Sequence, residues 1–313
     1  MQKSLVTGGA GFIGSHIVEA LSERGDLVRV LDNYSTGNPD NLKAVRRNIE
    51  IIEGDLQNSP DVRDAVQGID TIFHLAAFVS VPQSMEDPVT CYETNVNGTI
   101  QLFKLAEEAG VKRVVIASSA AVYGENPALP LSESAATIPL SPYAASKRVG
   151  EIYTKIYSDL LNLDIVALRF FNIYGPRQNP NSQYAAVIPI FIKKMLDEEQ
   201  PIIYGDGLQS RDFVYIDDVV RANLLAAESS QAPGQVINIC SGIEINLLQL
   251  VDSLSSIFNR EVTPEFRKGR PGDIYRSFGD PTLAGKILNF TPAVNLETGV
   301  KKTVSWMDQH PQG

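Results

Sequence analysis

The sequence predicts an α/β protein built on a doubly wound parallel sheet, with a smaller α/β domain towards the C-terminus. Three observations lead to this prediction. Short apolar runs alternate with helical patterns through the first half of the chain, as in βαβ units. The first run enters a glycine-rich turn, and polar or small residues follow the ends of the other runs.

Six apolar runs are predicted to be the strands of the sheet. Each is short and is separated from the next by a helical segment. Ligands of such sheets bind beyond the carboxyl ends of the strands, so the residues that follow each run are the candidates for a site. The runs are 4–7, 27–31, 49–53, 71–75, 113–118 and 165–170.

The turn after the first strand has the glycine spacing of a dinucleotide site. Two registers overlap in Gly8-Gly9-Ala10-Gly11-Phe12-Ile13-Gly14, namely Gly-x-Gly-x-x-Gly and the variant Gly-x-x-Gly-x-x-Gly. Glycines allow the backbone to approach a pyrophosphate that rests on the N-terminus of the following helix, as in Rossmann-type sheets. The residues expected to contact a dinucleotide here are Gly8, Gly11, Phe12, Ile13 and Gly14.

Asp32 ends the second strand, about 20 residues beyond the glycines, where an acid binds the adenosine ribose hydroxyls. An acid at this position favours NAD over NADP because it repels a phosphate. The alternative, an ordinary acid in a turn, fits this spacing less well. Further cofactor contacts are expected at the other strand ends, from Asn33, Asp55, Leu56, Ala76 and Ala77.

The segment 141–147 offers a phenol and an ammonium on one helical face. Ser141 is a good N-cap and Pro142 a good first helical residue, so Tyr143 and Lys147 fall on the first two turns. A cation nearby lowers the pKa of a tyrosine, which then acts as a base near neutral pH. Ser119, after the fifth strand, is expected to bind the same oxygen. The alternatives are a surface helix whose Tyr and Lys face water, and a serine that is only a cap.

Composition excludes several other classes of function. The net charge of −10 argues against a duplex nucleic-acid partner and against an anionic membrane surface. Cys91 and Cys240 are far apart and the chain has three histidines, so neither zinc nor a disulfide framework is implied, and His74 is expected to be structural. The N-terminus leads directly into a strand, and no apolar run is long enough for a bilayer, so we expect a cytoplasmic protein without a membrane partner.

Taken together, these motifs resemble the extended short-chain dehydrogenase/reductases, and the resemblance covers nearly the whole chain. Three later segments, 169–177, 211–219 and 270–273, look like the nucleotide-sugar epimerase and dehydratase branch. The motifs that carry the resemblance are Gly8-x-x-Gly11-x-x-Gly14, Asp55, His74-Leu75-Ala76-Ala77, Asn95-x-Asn97-Gly98-Thr99, Ser119 and Tyr143-x-x-x-Lys147.

This resemblance, with the order of the elements, implies two domains. Residues 1–171 and 213–239 are expected to form the NAD-binding Rossmann domain. Residues 172–212 and 240–313 are expected to form the domain that binds the nucleotide sugar. A helix over 247–258, a strand near 263–266 and a terminal helix over 296–307 are predicted in the second domain.

The reaction is indicated by residues that are missing. Sugar-nucleotide 4,6-dehydratases carry Thr-Asp-Glu where this chain has Ser119-Ala120-Ala121, because removal of water needs an acid and a base. The decarboxylases that make UDP-xylose carry a glutamate there. The remaining set fits reversible 4-epimerisation through a 4-keto intermediate, with Tyr143 as the base, Ser119 on the oxygen and Lys147 beside the tyrosine.

The resemblance also implies a UDP-sugar site. Arg211, Arg270 and Asn172 match residues that bind the diphosphate, and segments 186–189 and 202–204 would line the uracil. A small residue at Ser277 leaves room for an N-acetyl group at sugar carbon two, unless another residue closes the pocket. The predicted substrate is UDP-GlcNAc/UDP-GalNAc, with UDP-Glc/UDP-Gal as a further possibility. The residues expected at this site are Ser80, Ser119, Tyr143, Asn172, Val187, Tyr204, Arg211, Arg270, Asp273 and Ser277.

Three alternatives stay open: an epimerase for UDP-glucose only, a UDP-glucuronate 4-epimerase, and a non-catalytic NAD-binding sensor. Arg177 is open between a structural role in its loop and a ligand contact. The helices predicted over 89–109 and 141–161 carry apolar residues on more than one face, which is more than one sheet requires. Examples are Ile100, Phe103, Ile152 and Ile156. The family pairs these helices across a homodimer, so a homodimer is predicted.

Overall fold

A computed structural model of the protein describes residues 2–180, 186–269 and 274–310. The strands in these ranges are β1 Lys3–Thr7, β2 Leu27–Asp32, β3 Ile49–Glu53, β4 Thr71–His74, β5 Arg113–Ser119, β6 Asp164–Phe170, β7 Asn172–Tyr174, β8 Ile202–Tyr204, β9 Ser210–Arg211, β10 Phe213–Tyr215, β11 Val236–Ile239, β12 Ile245–Asn246, β13 Glu265–Arg267 and β14 Arg276–Ser277.

The helices of the described residues lie between these strands or, for the last two, after β14. They are α1 Phe12–Glu23, α2 Ser59–Val66, α3 Val81–Glu86, α4 Pro88–Tyr92, α5 Thr99–Glu108, α6 Pro142–Leu160, α7 Val187–Leu196, α8 Ile216–Glu228, α9 Leu247–Phe258, α10 Thr282–Leu288 and α11 Leu296–Gln309. None of the helices in the described ranges combines the length and the apolar composition that a bilayer crossing requires.

The main sheet is parallel and has the order β3-β2-β1-β4-β5-β6-β11 within the described part of the chain. The order reverses direction at β1, which is the point where ligands bind in doubly wound sheets. The predicted fold class is therefore confirmed, and the six predicted strands agree with β1 to β6 to within one residue at each end. The added edge strand, β11, lies in the segment 213–239 that was predicted to return to the sheet.

The sheet is covered on both faces, and each face has its own apolar cluster. One cluster includes Ile17 and Val18 of α1 and continues to Ile192 of α7. The other includes Leu102 and Phe103 of α5. Burial on both faces explains why the strands are apolar throughout rather than alternating.

The helix predicted over 89–109 contains an irregularity that the sequence did not predict. A π-helical turn, Glu93–Gly98, separates α4 from α5. The turn brings Asn95 to the loop that follows β4, where its side chain accepts from Phe78 N at 2.7 Å and donates to Phe78 O at 3.0 Å. Turns of this kind are frequent at functional sites.

Small sheets beyond the main one are formed mostly by the segments predicted to bind the nucleotide sugar, with β10 added from the segment predicted to return to the Rossmann domain. Strand β9 lies between β12 and β14, β8 pairs with β13, and β7 pairs with β10. The predicted helices over 247–258 and 296–307 correspond to α9 and α11, and the predicted strand near 263–266 corresponds to β13. The division into two domains stays a prediction.

Candidate active site

Helix α6 begins as its sequence predicts. The Ser141 hydroxyl accepts from Ala144 N at 3.1 Å, and Pro142 occupies the first helical position. The hydroxyl of Ser84, on α3, accepts from Tyr143 N at 3.2 Å, which satisfies another free N–H of the first turn. The start of α6 is therefore fixed both by its own cap and by the neighbouring α3.

Lys147 is held against the neighbouring strand. Its Nζ donates to Ala117 O of β5 at 2.9 Å and lies 5.8 Å from the centroid of the Tyr143 ring. Burial lowers the pKa of the Lys147 ammonium to about 8. Lys147 therefore carries a charge near neutral pH, but that charge is directed towards a backbone carbonyl of the strand.

Ser119 is a cap, and its hydroxyl also lies where the second predicted role would need it. It is the last residue of β5, and its Oγ accepts from Ala121 N at 3.2 Å, which caps the turn Ala120–Tyr123. The same hydroxyl lies within hydrogen-bonding reach of the Tyr143 phenol. Because the cap uses Ser119 as an acceptor, its O–H remains able to donate to an oxygen in the site.

One electrostatic expectation needs correction. In the protein alone, burial raises the pKa of the Tyr143 phenol above its usual value, and Ser119 opposes this by a smaller amount. The Lys147 ammonium lies 5.8 Å from the centroid of the Tyr143 ring and donates to Ala117 O, so its charge is directed at the strand rather than at the phenol.

The glycine turn between β1 and α1 has the close backbone approaches that a dinucleotide site requires. A Cβ on Gly14 would lie 2.1 Å from Gly8 O, and Gly8 has φ +68° with its Cβ position 2.7 Å from Ala76 N. No side chain caps the helix at Gly11, so the first N–H groups of α1 point into the turn. The turn, with Phe12 and Ile13 partly buried behind it, therefore fits a pyrophosphate.

Asp32 lies at the end of β2 beside this turn, as predicted. Its Oδ2 accepts from Ala10 N and its Oδ1 from Tyr34 N, both at 2.8 Å. Each carboxylate oxygen keeps a further lone pair, so the position fits a ribose hydroxyl while the backbone contacts fix the carboxylate. Gly37 packs closely here, and a Cβ at this position would lie 2.9 Å from Asp32 Oδ1 and would displace the carboxylate or the turn.

The other predicted cofactor residues lie at neighbouring strand ends. Asn33 Nδ2 donates to Asp55 Oδ2 at 2.7 Å, so the ends of β2 and β3 are joined by side chains. Leu56 is buried, and Ala76 N donates to Thr7 Oγ1 at 3.3 Å. Ala77 follows in the same partly buried loop. These positions border the same edge of the sheet as the glycine turn.

His74 agrees with its predicted structural role. Burial lowers the pKa of its imidazole to about 3, so the ring is neutral. Its Nδ1 is 2.7 Å from Thr7 Oγ1 and its Nε2 is 3.0 Å from Thr99 Oγ1. The ring therefore links the strand before the glycine turn to α5.

Three of the predicted substrate residues lie on adjacent segments. Asn172 N donates to Asp212 O at 2.9 Å, which brings Asn172 beside the residue that follows Arg211. Ser277 of β14 pairs with Arg211 of β9 in parallel register, and Ser277 is buried. The Asp212 carboxylate accepts from Ser241 N, Gly242 N and Gly279 N, so it ties these loops to the strand that carries Arg211.

The remaining predicted substrate residues are more dispersed. Ser80 caps α3 by accepting from Gln83 N at 3.2 Å. Val187 is the first residue of α7, and Tyr204 ends β8. Arg270 and Asp273 lie outside the described residues.

The Arg177 side chain contacts helix α1. Arg177 has φ +69°, and its guanidinium contacts Glu19 Oε1 at 2.6 Å and Ser15 Oγ at 3.3 Å, both on α1. This geometry favours the structural role in its loop.

A buried ion pair behind the site was missed by the sequence analysis. Glu151 of α6 and Arg169 of β6 form two hydrogen bonds in the interior. The sequence contains a pattern that could have predicted this pair. Glu151 falls on the same helical face as Tyr143 and Lys147, and Arg169 is a charged residue within an apolar strand.

Comparison with known proteins supports the family resemblance that the motifs of this chain indicate. Residues 4–240 match the NAD dependent epimerase/dehydratase family. A putative UDP-glucose 4-epimerase of Methanocaldococcus jannaschii is 41% identical over 306 residues, which cover 97% of this chain and 97% of that protein.

Two solved structures are similar over nearly their full length. The UDP-N-acetylglucosamine 4-epimerase from Methanobrevibacter ruminantium M1, in complex with UDP-N-acetylmuramic acid, is 41% identical, with a TM-score of 0.94 and 99% of both chains covered. A mutant UDP-glucuronic acid 4-epimerase from Bacillus cereus, with UDP-4-deoxy-4-fluoro-glucuronic acid and NAD, is 33% identical, with a TM-score of 0.91 and 99% of this chain and 100% of that chain covered. The resemblance found in the motifs is thus confirmed, and this chain belongs to the NAD-dependent epimerase/dehydratase family.

Proposed function

We propose that this protein is an NAD-dependent UDP-sugar 4-epimerase whose substrates are UDP-GlcNAc and UDP-GalNAc. The observation that carries the proposal is the meeting of Tyr143 with Ser119 at the end of β5, at the edge of the sheet that holds the glycine turn. The two residues after Ser119 are alanines, which supply no acid or base for dehydration. The 4,6-dehydratase reaction is therefore disfavoured.

NAD, when bound, supplies a hydride acceptor for sugar carbon four, a hydride donor for the return step and a positive ring charge. The glycine turn and the Asp32 carboxylate would hold it. Tyr143 removes the proton from the 4-hydroxyl and later returns it to the 4-oxygen. Ser119 donates a hydrogen bond to that oxygen, and Lys147, fixed by Ala117 O, adds positive charge beside the ring. The tyrosine is thus the proton carrier in both directions.

Inversion at carbon four needs a nucleotide that is held firmly and a sugar that can turn. Arg211 and Arg270 are proposed to bind the diphosphate, with Asn172 as a hydrogen-bonding partner. The small sheet that carries Arg211 is fixed by Asp212 and by pairing with β14, which supports a rigid diphosphate anchor. The keto sugar then turns about its bond to the diphosphate and presents its opposite face.

Substrate choice is proposed from Ser277. This small residue is buried beside Arg211, close to where the sugar next to the diphosphate would lie. A hydroxymethyl side chain leaves space that a bulky aromatic residue would fill, and an N-acetyl group needs that space. The UDP-N-acetylglucosamine 4-epimerase relative fits this choice.

Two other substrates remain alternatives. The Methanocaldococcus relative fits UDP-glucose, and the Bacillus cereus structure fits UDP-glucuronate. A glucuronate enzyme should direct a further cation at the sugar carboxylate, and the described residues give no secure candidate. The non-catalytic alternative is weakest, because Ser119, Tyr143 and Lys147 are all retained. A cytoplasmic location stays a prediction from the sequence.

The function is tested by incubating the protein separately with UDP-GlcNAc, UDP-Glc and UDP-GlcA, each with deuterium at sugar carbon four and no added NAD. We expect UDP-GalNAc from the first, with the deuterium kept at carbon four, because the same hydride returns. NMR resolves the products and the label. No product from any of the three sugars would refute the epimerase proposal, and product from UDP-GlcA alone would refute the substrate choice.

The Ser277→Tyr substitution tests the substrate pocket. We expect turnover of UDP-GlcNAc to fall at least about tenfold while turnover of UDP-Glc is kept, because the phenol occupies the N-acetyl space. Ser256→Tyr, at an exposed position on α9, is the matched control. Initial rates with both sugars give the comparison, and an equal loss for both would contradict the gatekeeper role.

We also propose that the protein is a homodimer. Large apolar side chains are exposed on adjacent helices: Val89 and Tyr92 of α4 are 67% and 51% exposed, and Ile152 and Ile156 of α6 are 47% and 39% exposed. A second copy that pairs these helices would cover them. Phe103 does not belong to this surface, because it is fully buried and packs edge-to-face on Tyr157.

The double substitution Ile152→Lys/Ile156→Lys tests the dimer. It places charges in the proposed interface, so we expect a dimeric wild type and a monomeric variant in light scattering coupled to size exclusion. Leu27→Lys, at an exposed position on the far end of the sheet, should stay dimeric. A monomeric wild type at micromolar concentration would contradict the proposal.

A further inference from the structure

We propose that Ser118, Glu151 and Arg169 are positioning residues that keep Ser119 and Tyr143 in register for proton transfer. The inference rests on the proposed function, since it concerns the same proton carrier. It assigns a role to a buried ionic cluster that lies behind the site and whose hydrogen bonds join α6, β5, β6 and Tyr123.

One row of side chains on helix α6 makes polar contacts with β5. Tyr143, Lys147 and Glu151 are spaced four residues apart, so they share one face of the helix. Tyr143 reaches Ser119, Lys147 Nζ donates to Ala117 O at 2.9 Å, and Ser118 Oγ donates to Glu151 Oε1 at 2.6 Å. Three consecutive residues of β5 therefore contact three turns of the helix, although the contacts do not follow the same order along the strand and along the helix.

Of these contacts, the one made by Glu151 is held in place by further hydrogen bonds to its carboxylate. Arg169 holds its carboxylate with two parallel bonds, Nε to Oε1 at 2.7 Å and Nη2 to Oε2 at 2.8 Å. The side chains of Glu151 and Arg169 are 0% and 3% exposed. Arg169 is also the cross-strand neighbour of Ser118, so helix, β5 and β6 meet at one carboxylate. A bidentate pair of this kind fixes orientation as well as distance.

Arg169 holds the other side of Ser119 as well. Its Nη1 donates to the Tyr123 hydroxyl at 2.8 Å, and its guanidinium lies 4.7 Å from the Tyr123 ring centroid. Ser119 caps the turn Ala120–Tyr123, and Tyr123 is the last residue of that turn. The Tyr123 hydroxyl donates to Asn238 Oδ1 at 2.8 Å. Ser119 therefore lies between two residues that the same ion pair fixes.

Stability alone is a poor explanation of this cluster. Removing two charges from water costs free energy, and apolar residues of similar volume often stabilise a core equally well or better. Position is a better explanation, because a misplacement of about 1 Å in an active site can lower the rate about 100-fold. The cluster fixes the distance between the Ser119 hydroxyl and the Tyr143 phenol, which are carried by different elements.

Ser118→Ala tests the inference with the smallest change. It removes the strand's bond to Glu151 and leaves the Glu151–Arg169 pair intact, so no buried charge loses its partner. We expect kcat to fall about 10- to 100-fold while KM for the UDP-sugar, the bound NAD and the unfolding temperature stay close to wild type. Ser158→Ala is the matched control: Ser158 also bonds α6 to a strand, through Ile165 N and O, but at the far end of the helix. It should leave kcat unchanged.

A second readout does not depend on turnover. Ser119 lowers the pKa of Tyr143, so a looser contact should raise that pKa. We expect the ultraviolet tyrosinate titration assigned to Tyr143, by difference from Tyr143→Phe, to move to higher pH in Ser118→Ala and not in Ser158→Ala. The rise of kcat with pH should move in the same direction. A role in stability alone would move neither.

The double substitution Glu151→Leu/Arg169→Met extends the test to the pair itself, because it removes both buried charges together. Arg148, which also contacts Glu151 Oε2 at 2.9 Å, is 38% exposed and can turn to water. The inference predicts a folded protein that binds NAD, with a lowered kcat and a raised Tyr143 pKa. The inference would be overturned if Ser118→Ala and the double variant both kept the wild-type kcat and the wild-type Tyr143 titration. It would also be overturned if Ser158→Ala lowered kcat as much as Ser118→Ala does. A wild type without turnover on any UDP-sugar refutes the proposed function instead, and the titration still decides the positioning role.

Discussion

The contact between Tyr143 and Ser119 depends on how α6 is laid against β5. The phenol is on the first turn of a helix and the serine is the last residue of a strand, so neither element alone sets the distance between them. Four contacts fix the position of the helix along the strand. They are the cap at Ser141, the bond from Tyr143 N to Ser84, the Lys147 bond to Ala117 O and the Ser118 bond to Glu151. The proposed proton transfer requires this alignment.

The proposed chemistry also requires unequal restraint of the two parts of the substrate. On the cofactor side, the glycine turn and Asp32 are fixed by backbone contacts, which suits a cofactor that stays bound while its oxidation state changes. On the substrate side, Arg211 is carried by a small sheet anchored through Asp212, which suits a diphosphate held in place. Ala120, Ala121 and Ser277 are small and add no reactive group, which is consistent with a sugar that turns between two hydride transfers.

Much of the fold and part of the site could be predicted from local sequence. The strand ends, the glycine turn and the helix start at Ser141 depend on neighbouring residues, and each lies where its pattern predicts. The Glu151–Arg169 pair depends on elements that only the folded chain brings together, so spacing alone did not reveal it. The burial of Phe103 and the raised pKa of Tyr143 in the protein alone could not be predicted from spacing either, because burial is set by tertiary packing.

The central claim is that Tyr143 alone carries the proton. It is tested most directly by Tyr143→Phe, compared with Tyr153→Phe on the same helix, in protein purified with its NAD. The account predicts that Tyr143→Phe lowers kcat for 4-epimerisation by at least about 1,000-fold, keeps its bound NAD and unfolds like wild type, while Tyr153→Phe stays active. Turnover by Tyr143→Phe within about tenfold of wild type would contradict the account, because another group would then have to move the proton.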